Sequence, residues 1–270
     1  MKLYRMRYLI LLLLAALLMQ LLSACEQVIE VNLNDASPRY VIEGSITDEA
    51  GPYQIRITRT KNFDEDNTFE GVTGAVVLVS DNAGNMETLQ EHSPGIYTGS
   101  IVPGVPGRSY FLNVLIGEER FTATSTMPAL VPFEDLYIEE QSTFGEARKV
   151  PYAVFTDPAG EPNYYRFLLT VSGRRVNVIY AYTDQYTDGR QVKRSLRYFT
   201  ENEDDDIKTG DQIEVEMQSI DSPVYTYFYS LSQTIGQNAA APGNPVSNIT
   251  GGALGYFSAH TVQRKSIAVE

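Results

Sequence analysis

Residues 74–126 read GAVVLVSDNAGNMETLQEHSPGIYTGSIVPGVPGRSYFLNVLIGEERFTATST. Ala75 to Val79 is a short β-branched and apolar run, closed by Asp81-Asn82-Ala83-Gly84-Asn85. Those closing residues are turn formers, because Gly tolerates positive φ and Asp and Asn side chains bond to nearby backbone. Gly95-Ile96-Tyr97-Thr98-Gly99 follows, then Tyr110 to Ile116 and Phe121 to Thr126. Apolar runs recurring every roughly 8–12 residues, with Gly, Pro and Asn between them, predict antiparallel strands stacked as a β-sandwich.

The pattern extends outward in both directions. Tyr40 to Thr47 reads as a strand, ended by Asp48-Glu49-Ala50-Gly51-Pro52. Tyr53, Ile55 and Ile57 then alternate with Gln54, Arg56 and Thr58, the period of a half-buried strand. Asn62 to Gly71 is a polar, acidic loop. Within this series, Gly74 to Thr124 is similar to immunoglobulin-like or transthyretin-like extracellular modules, a resemblance that carries architecture rather than function. The series sets residues 38–130 as a first sandwich, ended by the Pro-containing stretch Met127 to Phe133.

Residues 131–270 begin strands again. Val150 to Phe155 runs into the turn Asp157-Pro158-Ala159-Gly160. Tyr164 to Val171 is the strongest strand of this half, with Val176 to Tyr182 as its expected partner, and Ile213 to Met217 alternates. Ser222-Pro223 opens a stretch in which Val224, Tyr227, Phe228, Leu231 and Ile235 share one helical face, predicting a helix over 223–237. A Gly-rich segment from Gly251 leads into a last strand through Val262, the glycines allowing a tight bend. The fold class expected is therefore mainly β: an N-terminal immunoglobulin-like or transthyretin-like sandwich followed by a second β-rich domain with one packed helix.

The start of the chain speaks to location. Lys2, Arg5 and Arg7 precede an apolar run of 15 residues, Tyr8 to Leu22. A basic region followed by a short apolar one is the pattern of a secretory signal peptide, here 1–24. The run is shorter than the roughly 20 residues of a spanning helix. Leu22-Ser23-Ala24-Cys25 resembles the lipobox of bacterial lipoproteins, which makes Cys25 the expected lipidation site and 25–37 a tether. Cys25 is the only cysteine, so disulfides and thiolate metal sites are not expected. The lipid on Cys25 is then the membrane attachment. A net charge of −13 argues against nucleic acid, whose binding needs a basic footprint.

Signals for chemistry are few. His92 and His260 lie far apart, and neither a G-x-S-x-G elbow nor H-E-x-x-H is present. No catalytic residue, cofactor or metal site is assigned, and the chain is expected not to be an enzyme. The acidic run Glu201 to Asp206, with Asp211 beyond, lacks the ligand order of an EF-hand and reads as a solvated loop, although calcium there stays an open question. Two groups of aromatic residues are candidate ligand contacts: Tyr180, Tyr182, Tyr186 and Tyr198, and Tyr256 with Phe257.

The order of a lipobox, a Tyr-Val-Ile-Glu-Gly strand, Gly-Pro-Tyr with an alternating strand, Asp157-Pro158 with Tyr164-Tyr165-Arg166-Phe167, and Asn244-Pro245 through Gly251-Gly252-Ala253-Leu254-Gly255-Tyr256-Phe257 resembles the Bacteroidota lipoproteins grouped as domain of unknown function 4249. The resemblance covers nearly the whole chain after Cys25. It implies a lipid-anchored outer-membrane protein with a TonB-dependent outer-membrane barrel as a possible partner, and the acidic Glu26 and Glu30 just after Cys25, similar to a surface-export signal, set surface-exposed above periplasm-facing. It assigns no ligand. The expected function is a non-catalytic accessory or ligand-capturing lipoprotein, with a structural or adhesive surface role as the alternative.

Overall fold

Alternation builds the first strands. In β1 (Tyr40–Thr47) and β2 (Tyr53–Arg59), Ile42, Ile46, Ile55 and Ile57 are buried while Gln54 and Arg56 face solvent. The computed structural model describes residues 38–61, 68–143, 146–198, 206–234 and 243–270, with Tyr4 and Arg7. The lipobox Leu22 to Cys25, the tether, acidic residues 201–205 and positions 235–237 of the expected helix lie outside the described residues.

The chain continues through β3 (Val76–Asp81), β4 (Met86–Thr88), β5 (Gln90–Ser93), β6 (Ile96–Gly99), β7 (Ser109–Ile116) and β8 (Glu119–Thr126). The Asp81 turn closes as its residue types predict. Asp81 Oδ1 accepts the amides of Ala83 and Asn85, and Oδ2 accepts from Asn85 Nδ2 and the Arg108 guanidinium. Then come β9 (Phe133–Thr143), β10 (Glu146–Thr156), β11 (Tyr164–Val171), β12 (Arg174–Arg175), β13 (Tyr180–Thr183), β14 (Gln191–Ser195), β15 (Gln212–Ile220), helix α1 (Ser222–Thr234) and β16 (Leu254–Ala268).

These strands make three sheets. The largest has nine strands in the order β12-β11-β15-β16-β1-β2-β6-β5, with β13 also pairing with β11. A four-stranded sheet, β4-β3-β7-β8, packs on one half of it. Ile42, Ile55, Ile57, Tyr97 and Phe257 from the long sheet meet Val77, Val79, Leu112, Val114 and Phe121 in a first core. A three-stranded sheet, β14-β10-β9, packs on the other half, where Phe133, Ala153, Phe155 and Val192 meet Phe167, Leu169, Val215 and Met217 in a second. The chain is thus mainly β, sandwich-like, with one helix among the described residues.

Strand β16 joins the two halves. Its first part, from Leu254 to His260, runs parallel to Val41–Thr47 of β1. Its second part, Thr261 to Ala268, runs antiparallel to Gln212–Ser219 of β15. Residues 249–260 consequently contribute Ile249, Ala253, Phe257 and Ala259 to the first core. The long sheet crosses the boundary expected at 130/131, and Ser37–Glu270 makes one compact unit containing both cores. No helix among the described residues is long and apolar enough to cross a membrane.

Helix α1 covers the opposite face of the long sheet. Val224, Tyr227 and Phe228 pack with Ile220, Tyr164, Ala181 and Tyr256. Its cap is Asp221, whose Oδ1 accepts the Val224 amide at 3.1 Å. Oδ2 of the same residue accepts the Ser125 hydroxyl and the Thr126 amide, each at 2.8 Å. Ser125 Oγ in turn accepts the Ala259 amide at 2.8 Å, so one carboxylate ties helix, β8 and β16 together. Asp221→Ala is expected to cost about 2–3 kcal/mol at neutral pH, a lost cap plus donors left without a partner. Urea midpoints of the two proteins check it, and a loss under about 0.5 kcal/mol would show the cap to be dispensable.

Candidate functional site

Four of the candidate aromatic residues sit around β13 and the loops that follow it. Strand alternation turns Tyr180 and Tyr182 inward, toward the second core. Tyr180 is buried, and its hydroxyl donates to the carbonyls of Leu196 and Arg197 at 3.1 and 3.0 Å. Burial holds that hydroxyl protonated well beyond the usual tyrosine range. Tyr182 lies 6.2 Å from the Phe167 ring, with the Arg194 guanidinium 4.1 Å over its own ring. Tyr198 packs half-buried on the same core. Only Tyr186 is presented to solvent, 82% exposed on the loop between β13 and β14. Of the four, Tyr180 is buried and binds loop to sheet, Tyr182 and Tyr198 pack half-buried on the core, and Tyr186 is exposed.

Tyr256 and Phe257 are adjacent on β16 and therefore point to opposite faces. Phe257 is fully buried in the first core and is not a ligand contact. Tyr256 joins Tyr227 and Phe228 of α1, at centroid distances of 5.0 and 4.9 Å. The Arg166 guanidinium stands 3.7 Å over the Phe228 ring and donates to Gln218 Oε1 at 3.3 Å. Burial lowers the pKa of Arg166, and the aromatic faces compensate part of its lost hydration. This cluster fastens α1 to the sheet. Tyr164, Tyr225 and Tyr229 continue it outward at spacings of 5.0 and 5.6 Å, ending at the exposed Tyr229.

The two histidines do not meet. His260 is buried on β16, its Nδ1 2.8 Å from Ser258 Oγ, and burial lowers its pKa to about 3. His92 is exposed on β5, four strand positions away across the sheet, on the order of 19 Å at the usual 4.8 Å strand spacing. Asp211, considered as a calcium ligand, instead closes a turn: Oδ1 accepts the Ser172 hydroxyl and Oδ2 the Lys208 amide. A cleft of about 520 Å³ lies between the β1–β2 turn, with Asp48 and Glu49, and the loop Ser100 to Gly104, and neither histidine lines it.

The outer face of the four-stranded sheet went unnoticed in the alternation of residues 74–126. Cross-strand partners share a face. Ser80 is paired with Met86 on one side and Phe111 on the other, and Val76 with Leu115. Val77, Val79, Leu112 and Val114 take the inner positions. The outer ones leave Val76, Met86 and Phe111 exposed by 53%, 65% and 41%. Three large apolar side chains thus project from one face of this sheet. The pattern that locates the core also locates this strip, since the strands β3 and β7 are apolar at inward and outward positions alike.

A mainly β protein of two sandwiches sharing one long sheet, with one helix packed on its far side, is the class these features define. The chain belongs to the family described as Domain of unknown function (DUF4249), whose model matches residues 26–266. No curated protein matches the chain.

Proposed function

We propose that the protein is a non-catalytic lipoprotein of the outer membrane, anchored through a lipid on Cys25, that docks as an accessory or ligand-capturing subunit on a TonB-dependent transporter. The observation that carries this reading is the apolar strip of Val76, Met86 and Phe111, outward on the four-stranded sheet. Interfaces draw on such aromatic and Met side chains. Its support from chemistry is that the one histidine that meets a serine, His260 with Ser258 at 2.8 Å, is buried with its partner inside the sheet, while His92 stands apart from both. The lipobox-like Leu22-Ser23-Ala24-Cys25 supports the anchor, and the surface is the favoured side of the membrane.

The alternative is a structural or adhesive surface protein, favoured by the continuous nine-stranded sheet, which makes a stiff spacer of both sandwiches. The full-length protein, tagged at its C-terminus, is to be purified from gently solubilised outer membranes and its companions identified by mass spectrometry. A TonB-dependent barrel is expected in stoichiometric amount. Met86→Lys with Phe111→Glu is expected to reduce its recovery about tenfold or more, the effect of losing at least one interface anchor. A preparation without a barrel sinks the accessory reading, and retention on cells or matrix would then identify the adhesive one.

A further inference from the structure

The two loops flanking Tyr186's turn bring together side chains far apart in sequence. Asp157 directly follows β10, Asp184 directly follows β13, and Asp188 precedes β14. The loops are stitched by backbone and side-chain bonds: Asp157 N to Arg190 O at 3.0 Å, Asn163 N to Asp184 Oδ2 at 2.7 Å, and Gly160 N to Asp188 Oδ1 at 2.7 Å. One carboxylate oxygen from each aspartate lies within 4.8 Å of the others. Asp157 and Asp184 are buried, and Asp188 is exposed.

Three like charges this close, two of them withdrawn from water, need a compensating charge. Among the described residues none of the three carboxylates makes a salt bridge. Asp157 is 1% exposed, and the Tyr165 hydroxyl donates to its Oδ1. Its other oxygen, Oδ2, is buried and has no hydrogen-bond partner. A buried, unpartnered carboxylate oxygen is a costly arrangement that persists where something absent from the protein atoms completes it.

We propose that Asp157, Asp184 and Asp188 hold a calcium ion. Oxygen-only ligands select hard cations over zinc or copper. A spread within 4.8 Å fits across a calcium shell, about 4.6–5.2 Å for ligands at 2.3–2.6 Å. The one exposed member leaves room for water to fill the remaining positions, as calcium's flexible coordination allows. The ion fixes the loop that carries Tyr186 and joins it to the Asp157 turn. The site lies on strands other than those of the apolar strip, so it stands or fails independently of transporter docking.

The test uses the full-length protein in detergent, stripped with EDTA and titrated with terbium, followed by luminescence sensitised through Tyr165. Saturable 1:1 binding is expected, displaced by calcium with a Kd of about 10⁻⁴–10⁻³ M, the class of extracellular sites. Asp188→Asn, at the exposed position, is expected to keep the wild-type circular dichroism and weaken calcium about tenfold or more, and Asp157→Asn to abolish the signal. Absence of saturable binding up to roughly 10 mM, beyond that class, overturns the proposal and leaves Asp157 neutralised by a proton. Binding unchanged in both variants also overturns it and moves the ion to the acidic run Glu201 to Asp206.

Discussion

Lowering the pH from 7 to 5 is expected to remove about 2 kcal/mol of folding stability through His260 alone. The ring is buried beside Ser258, and its pKa falls to about 3 because burial disfavours the cation, with Arg166 and Arg264 adding repulsion. An unfolded histidine titrates near 6.5. Below that value the unfolded chain takes up a proton that the folded chain refuses, so stability falls as the pH falls. The loss begins near pH 6.5, continues to about pH 3 and totals roughly 4 kcal/mol. Asp157 and Asp221 work in the opposite sense, since burial raises both and protonation favours their folded forms. The contribution of His260 is therefore read from a difference. His260→Gln is expected to flatten the profile of urea-unfolding free energy between pH 7 and 5 relative to wild type. Identical slopes would show that the ring is solvated, contrary to its place on β16.

The second large effect is expected at Gly255. Its φ is +99°, and a Cβ there would stand 2.0 Å from the Ile42 carbonyl oxygen. Gly255 is the register partner of Ile42 where β16 runs parallel to β1. Ile42 cannot retreat, because β1 is held on its other edge by β2, with Ile42 opposite Ile57. Gly255→Ala therefore combines backbone strain with a collision against fixed backbone, and about 3–5 kcal/mol of lost stability is expected. Gly252→Ala separates the two causes. Its φ of +92° carries comparable strain, but nothing lies within 4 Å of the added Cβ, so about 1–2 kcal/mol is expected. Equal midpoints for the two variants in urea would contradict the close approach of β16 to β1.

The strands of the first sandwich were legible because each apolar run is bounded by a turn whose residues state their own geometry, as Asp81 to Asn85 do. The helix start was legible for the same local reason, the cap being Asp221 rather than Ser222. Strand β9 was not foreseen: Phe133 to Thr143 is mostly polar and gains its place by pairing with β10. The double role of β16 leaves no mark on its own sequence, because pairing partners are chosen by the rest of the chain. The aromatic candidates were found by residue type, and type does not tell a ring that stacks on a ligand from one that packs on a core. Charge density drew attention to Glu201 to Asp206, whereas Asp157, Asp184 and Asp188 look unremarkable singly and become a group only when two loops meet.

The position of β16 has a consequence for the order of folding. Arg39 reaches the Gly252 carbonyl across a separation of 213 residues, at the point where the last strand meets the first. Strands β1 and β2 can form a hairpin early in folding, yet the other edge of β1 stays open until Leu254–His260 reaches it. Closing so long a loop lowers the folding rate, as contacts distant along the chain do generally. Until that pairing forms the molecule is an incomplete sheet with an unpaired edge, and a chain cut short before Leu254 would keep that edge and invite aggregation. Leu254–His260 is the latch that closes the long sheet.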